Sequence, residues 1–150
     1  MITRDNAGHK QLLVPVALIV KNRRLYVQQR RDPRPAFNNK WEFPGGGVEW
    51  GESVEHCLWR EVAEETGYKI KIQHQLSGLP TAIGRSNKVS YQVFLICFVC
   101  TIQSGVQRIT DPEVKSARWC DSAQLSRLNF LPLNKKIIRS NIVLLKKYID

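Results

Sequence analysis

The sequence has no long hydrophobic run. Its longest mostly apolar stretches are 12–20, broken by Pro15, and 93–100. Both fall well short of the roughly 18–20 residues that a membrane-spanning helix needs. The opening MITRDNAGHK lacks the apolar centre of a secretory signal. A soluble, cytoplasmic protein with no membrane partner is expected. No G-x-x-x-x-G-K-[ST] loop occurs, which excludes a P-loop nucleotide site. There is no internal repeat and no low-complexity segment. The three histidines, His9, His56 and His74, have no partners at metal-ligand spacing. Acidic residues are scarce, 13 Asp+Glu against 23 Lys+Arg, for a formal net charge of +10 over 150 residues. A composition of 43% hydrophobic and 24% charged residues is that of a folded chain, not a disordered tail. The length suits one domain, 1–150.

There are four cysteines, Cys57, Cys97, Cys100 and Cys120. Cys97 and Cys100 have the spacing of a zinc or redox pair. They lie, however, in the apolar run VFLICFVC, which reads as a buried strand. Residues three apart on a strand point to opposite faces, so buried free thiols are expected.

The scarce acids are concentrated. Residues 46–65 hold Glu49, Glu52, Glu55, Glu61, Glu64 and Glu65 with one basic residue, Arg60, a net −5. The remaining residues sum to +15. A basic chain alone suggests solubility or loose nucleic-acid binding. The acidic island needs its own account.

The pattern of the chain alternates strands and helices. Strands are expected at 12–20 and 24–30, joined by a turn at 21–23, and a short one at 41–43 after a proline-containing loop at 31–40. Pro44 and the glycines Gly45, Gly46 and Gly47 stop that strand. Ser53 has the character of a helix N-cap, and the helix runs to Thr66 before Gly67 ends it. Further strands are expected at 69–76, 88–102 and 117–120, with loops at 79–87 and 105–115. A short helix follows at 122–128 and an amphipathic one at 135–149. This order predicts an α/β fold, a mixed β-sheet packed between helices.

On a helical wheel, Val54, Leu58 and Val62 form the apolar stripe. Glu65 and Glu61 fall one turn apart beside or within that stripe, and Glu64 flanks them. Desolvating carboxylates is costly, and crowding them adds repulsion. The alternative is a solvated acidic face, against which the overlap of Glu65 with the apolar stripe argues. Arg60 supplies one offsetting charge. A hard divalent cation, which prefers oxygen ligands, would supply the rest. The glycines before the helix let backbone approach closely, and Glu52 reaches the same region.

Gly46, Glu52 and then Arg60-Glu61-Val62-Ala63-Glu64-Glu65-Thr66-Gly67-Tyr68 resemble the Nudix box, G-x5-E-x7-R-E-U-x-E-E-x-G-U. Every fixed Gly, Glu and Arg is present. Tyr68 departs from the aliphatic residue of the pattern. Beyond the box, KWEFPGGGVEWGE resembles MutT-type nucleoside-triphosphate pyrophosphohydrolases. Glu113, six residues before Trp119, resembles that branch's late metal-binding glutamate. FLPLN, ending in Asn134, resembles its F-P-P-A-N segment, whose Asn reads an oxidised guanine. Arg31 falls where the branch has a phosphate-contacting Arg.

The resemblance implies a Nudix-type α/β/α sandwich and Mg²⁺- or Mn²⁺-dependent attack of water on a nucleoside diphosphate linked to X. For a MutT-like member the products are nucleoside monophosphate and pyrophosphate. The metal is expected on Glu61, Glu64, Glu65, the Gly46 carbonyl and Glu113. Glu61 matches the position of a general base. Arg60 is expected to orient the glutamates through its forked guanidinium, and Glu52 to brace the loop or serve as a ligand. Arg31, helped by Arg30 or Arg34, is the phosphate-binding candidate, and Phe43 with Asn134 the base-binding one. Asn134 is alternatively an N-cap for the last helix. The partner expected is a small nucleotide, with no stable nucleic-acid partner, bound by a monomer or homodimer. Two other readings remain. The 31–41 segment slightly resembles a loop of GDP-mannose hydrolases, which keeps a nucleotide-sugar substrate open. A basic RNA-binding or decapping Nudix module is the third reading, which the intact box disfavours.

Overall fold

The computed structural model describes residues 8–150, with the side chain of Ser86 left aside. Seven strands and three helices follow one another as β1 (His9–Lys21), β2 (Arg24–Arg30), β3 (Trp41–Glu42), α1 (Val54–Thr66), β4 (Tyr68–Gln75), β5 (Thr81–Ser86), β6 (Val89–Gly105), β7 (Val114–Cys120), α2 (Ser122–Arg127) and α3 (Pro132–Ile149).

The sheet is mixed. Its strands run β3-β2-β1-β6-β4, with β5 added to β6 and β7 to β2. The β1 and β6 pairing is parallel and long, from His9 opposite Ser90 to Val20 opposite Thr101. By contrast β1 and β2 pair only next to their turn, at Val20–Leu25 and Lys21–Arg24. The two strands then diverge, and the 44–48 segment fills the gap. Ala17 donates its amide to Pro44 O at 2.8 Å, and Val48 donates to Leu13 O at 3.0 Å. Gly45 makes this possible, because a Cβ there would overlap the Pro15 carbonyl oxygen.

Alternation along β1 and β2 sends side chains to two cores. Val16, Leu18, Leu25 and Val27 face Ile137, Leu145 and Ile149 of α3. Ala17, Ile19 and Tyr26 face Leu58 and Val62 of α1. Helices therefore cover both faces, and the expected α/β/α sandwich is present. Burial of these aliphatic side chains stabilises each by roughly 1.5–3 kcal/mol relative to exposure. No helix among the described residues is long and apolar enough to cross a membrane.

Helix α1 has the expected ends. Ser53 Oγ accepts from the His56 amide at 3.1 Å. Gly67, at φ 82°, closes the helix by donating to Ala63 O at 3.0 Å. A Cβ at Gly67 would overlap the Val106 carbonyl oxygen, so glycine is required for packing as well. All four cysteines are buried and free. Cys97 lies in the α3-side core and Cys100 in the α1-side core, on opposite faces as their spacing requires. Burial pushes both thiols up to about 12.

Three expectations are corrected. The 79–87 segment is not a loop throughout, since Thr81–Ser86 forms β5, paired antiparallel with β6 over six positions. The connection is tight, with Asn87 and Lys88 both at positive φ, the twist that two-residue hairpins favour. Gly84 and Arg85 hid a strand whose stability comes from its neighbour rather than from an apolar face. The last helix begins at Pro132, not 135, because Pro is accommodated at a first helical position. Asn134 therefore lies inside the first turn and is not the N-cap. Leu131 holds the cap position, with no side-chain hydrogen bond. Strand β7 starts at Val114, three residues before its expected start.

Candidate active site

The splayed β1 and β2 strands leave room for the glycine loop to pass under α1. There the acidic island closes on itself. Arg60 donates from Nε to Glu52 Oε2 at 2.7 Å and from Nη2 to Glu52 Oε1 at 2.9 Å. Its Nη1 donates to Glu61 Oε1 at 2.9 Å and reaches Glu64 Oε2 at 3.5 Å. Glu49 lies 3.8 Å from Nη2. One guanidinium thus meets four carboxylates. The hydrogen bonds from Arg60 pull the Glu52 carboxyl down to about 2. The Glu49 amide also donates to Glu52 Oε1, at 3.2 Å. Glu52 so ties the loop to the helix.

Glu65 is held differently. It is only 9% exposed. Its Oε2 accepts from Gln28 Nε2 at 2.8 Å and from the Gly45 amide at 3.1 Å. No cation pairs with it among the described residues. Burial raises its carboxyl well above the usual range; the Gln28 hydrogen bond opposes this, and Glu42 and Glu61 add to it. Glu61 is raised too, first by burial, with Arg60 opposing and Glu64 and Asp111 adding. Glu61 lies over Gly46, where a Cβ would overlap its carboxylate. The Gly46 carbonyl accepts from the Cys57 thiol at 3.4 Å. Glu64 is outermost, with 56% of its side chain exposed. Gly47 has open space where a Cβ would stand, so nothing packed against it demands glycine.

Glu113 lies in the loop before β7 and is exposed. The Arg31 amide donates to its backbone oxygen at 2.7 Å. Its carboxylate makes no hydrogen bond or ion pair among the described residues. Sequence reasoning missed Gln28, Glu42 and Asp111. Glu42, three residues before Gly45, faces Arg30 at 3.4 Å. Burial raises its carboxyl despite Arg30. A buried glutamine and a glutamate on short strands carry no motif, and only the phase of β2 would have pointed to Gln28.

The basic loop divides in the same manner. Asp32 binds Arg30 Nε and Arg34 Nη2, each at 2.9 Å. Their hydrogen bonds, Arg34's foremost, hold its carboxyl well below the usual range. Arg31 instead donates to the Pro112 carbonyl at 3.2 Å and makes no ion pair among the described residues. On the α3 side, Asn134 Oδ1 accepts from the Phe43 amide at 2.9 Å. Phe43 packs on Phe130 with ring centroids 5.6 Å apart. Asn134 is 7% exposed, and its Nδ2 has no partner among the described residues. Phe43 and Asn134, expected to act together, are directly bonded.

The donor set suits a hard divalent cation. It is composed of carboxylate oxygens, and Glu65 is buried with neutral partners and unbalanced charge, a condition that a cation relieves. Among the described residues no three acidic, thiol or imidazole side chains converge on one point. Arg60 holds Glu61 and Glu52 while Gln28 holds Glu65.

Residues 10–140 match the NUDIX domain. The chain belongs to the Nudix family. Among curated Nudix relatives, it is 30% identical over 126 residues to the 8-oxo-dGTP diphosphatase of Buchnera aphidicola subsp. Schizaphis graminum, covering 83% of this chain and 88% of that protein. It is 34% identical over 94 residues to the NAD-capped RNA hydrolase NudC of Actinobacillus succinogenes, covering 61% of this chain but only 33% of that longer protein. A solved Nudix hydrolase from Nitrosomonas europaea shares the fold, with a TM-score of 0.70, 24% identity and coverage of 89% and 90% of the two chains. The chain is a Nudix pyrophosphohydrolase, an enzyme of the class that acts on nucleoside diphosphate-linked moieties. Nudix hydrolases generally use divalent metal ions.

Proposed function

We propose that residues 1–150 form one Nudix domain that hydrolyses a (deoxy)nucleoside triphosphate to nucleoside monophosphate and pyrophosphate. An oxidised guanine nucleotide such as 8-oxo-dGTP is the favoured substrate. The carrying observation is the Phe43–Asn134 pair. A purine edge needs a group that donates or accepts in the plane of the base. With Asn134 Oδ1 bonded to the Phe43 amide, its Nδ2 is oriented and left to donate. The relative named 8-oxo-dGTP diphosphatase supports this reading.

Glu61, Glu64 and Glu65, with the Gly46 carbonyl and Glu113, would hold Mg²⁺ or Mn²⁺. When bound, such a cation neutralises phosphate charge and lowers the pKa of water. Glu61 is the general base, placed with Oε1 on Arg60 and Oε2 directed elsewhere. Arg60 and Glu52 brace the loop and helix against each other. Arg31 meets a phosphate of the substrate. Water oxygen joins one phosphorus, the bridging oxygen leaves with the other, and a proton passes to the carboxylate. We place the enzyme in the cytoplasm as a monomer or homodimer. The free cysteines agree with a reducing compartment.

The test is product analysis over a nucleotide panel with Mg²⁺, for the wild type and Asn134→Ala. Pyrophosphate from an oxidised dGTP is expected, with the preference over ordinary dGTP reduced about tenfold in the variant. Sugar phosphate as the main product, with no turnover of triphosphates, would overturn the substrate class. An unchanged preference ratio would remove Asn134 from recognition.

A further inference from the structure

Strand β2 turns Leu25 and Val27 to the α3-side core. Its alternate residues, Tyr26 and Gln28, turn to α1. Both are fully buried, at 0% and 1% exposure. The Tyr26 ring is fixed by edge contacts with Tyr68 and Trp119, centroids 6.2 and 5.4 Å away. Gln28 Nε2 donates to Glu65 Oε2 at 2.8 Å. The remaining polar atoms of the pair, Tyr26 OH and Gln28 Oε1, are buried with no hydrogen-bond partner among the described residues. Stability alone would fill both positions with aliphatic or plain aromatic side chains, since an unpaired buried polar atom is destabilising and calls for a reason.

The reason lies in what Gln28 does to Glu65. Its amide and the Gly45 amide occupy Oε2, so the carboxylate plane is set and Oε1 is presented without a partner among the described residues. Both donors are neutral. They orient the carboxylate without placing a positive charge beside it. A lysine or arginine at position 28 would orient it equally and cancel that charge, as Arg60 does for Glu52. We propose that Gln28 is a positioning residue that aims Glu65 Oε1 at a divalent cation while adding no positive charge to compete with it. This rests on Glu65 being a metal-holding carboxylate. Partners behind a ligand commonly govern metal affinity in this way.

The test measures binding of Mn²⁺ alone, without nucleotide, by calorimetry, together with the thermal midpoint of the metal-free protein. Gln28→Met keeps the length of the side chain and removes the amide. It is expected to weaken Mn²⁺ binding about tenfold, with the metal-free midpoint little changed, because losing the Glu65 hydrogen bond is offset by removing the unpartnered Oε1. Gln28→Lys, which cancels the Glu65 charge, is expected to lose more. Glu65→Gln is the control. If Glu65→Gln loses Mn²⁺ affinity and Gln28→Met does not, the positioning role is wrong and the reading of Glu65 survives. If Glu65→Gln keeps full affinity, that reading falls first and the proposal with it. A lower midpoint in Gln28→Met with unchanged affinity marks a structural residue only and overturns the proposal. Should Gln28→Met not fold, Gln28→Asn withdraws the amide by one methylene, and the same affinity loss decides.

Discussion

Glu52 and Glu65 stand on either side of one short loop, and their partners differ in kind. Glu52 takes two hydrogen bonds from the Arg60 guanidinium, at 2.7 and 2.9 Å. Glu65 takes two from neutral groups, Gln28 and the Gly45 amide, at 2.8 and 3.1 Å. The first carboxylate has its charge cancelled and is spent on holding loop to helix. The second is oriented in a buried place, with no cation beside it among the described residues. The arginines repeat the division: Asp32 binds Arg30 and Arg34, while the Arg31 side chain reaches a carbonyl and, among the described residues, no carboxylate. Paired charges build the frame here, and the unpaired ones are those to which the proposal assigns metal and phosphate. Glu61 stands between, with one oxygen on Arg60 and the other without a partner among the described residues.

The largest expected effect comes from removing the uncancelled charge. Glu65→Gln should lower kcat about 100-fold or more, and it should raise the thermal midpoint of the metal-free protein. The gain follows because a buried carboxylate with no cation is replaced by a neutral group. Glu61→Gln should also remove most turnover, with a smaller gain in stability, since Arg60 already offsets its charge. Steady-state kinetics with Mg²⁺ and thermal unfolding read both. Near-wild-type turnover in either variant would break the division between frame and ligand groups.

A smaller effect is expected among the arginines. Arg31→Ala should raise KM about tenfold with the midpoint little changed, because Arg31 holds no carboxylate. Arg34→Ala should leave KM within about threefold and lower the midpoint, because Asp32 would lose one of its two cations. The reverse pattern would place the phosphate site on the ion-paired arginine.

Much of this was legible before the structure. The wheel put Glu65 within the apolar stripe of α1, and burial at 9% agrees. The N-cap at Ser53, the stop at Gly67 and the inward cysteines follow from local chemistry, and local chemistry is readable from neighbours in sequence. Gln28 was not legible, because its role depends on contact across 37 positions and on the phase of a seven-residue strand. Strand β5 was hidden because its partner β6 stabilises it, not its own composition. Asn134 was half legible: an asparagine before a helix reads as a cap. Pro132 moved the helix start upstream, and the amide turned to Phe43 instead.

Glu52→Gln tests the frame side of the comparison. Turnover should fall only about tenfold, through loss of the Arg60 orientation that Glu61 shares. Stability should fall at neutral pH, and the pH dependence identifies the cause. The folded carboxyl is pulled to about 2 from an ordinary value of 4.5. A depressed carboxylate contributes its stability above the unfolded value, and that contribution is lost as pH falls through the folded one. The midpoint difference between wild type and Glu52→Gln should therefore be full near neutrality and shrink from about pH 4.5 towards about pH 2. A difference that stays constant across that window would show that the ion pair is not what Glu52 contributes. Glu52 would then be holding the loop through the Glu49 amide alone, and the contrast with Glu65 would become one of geometry rather than of charge.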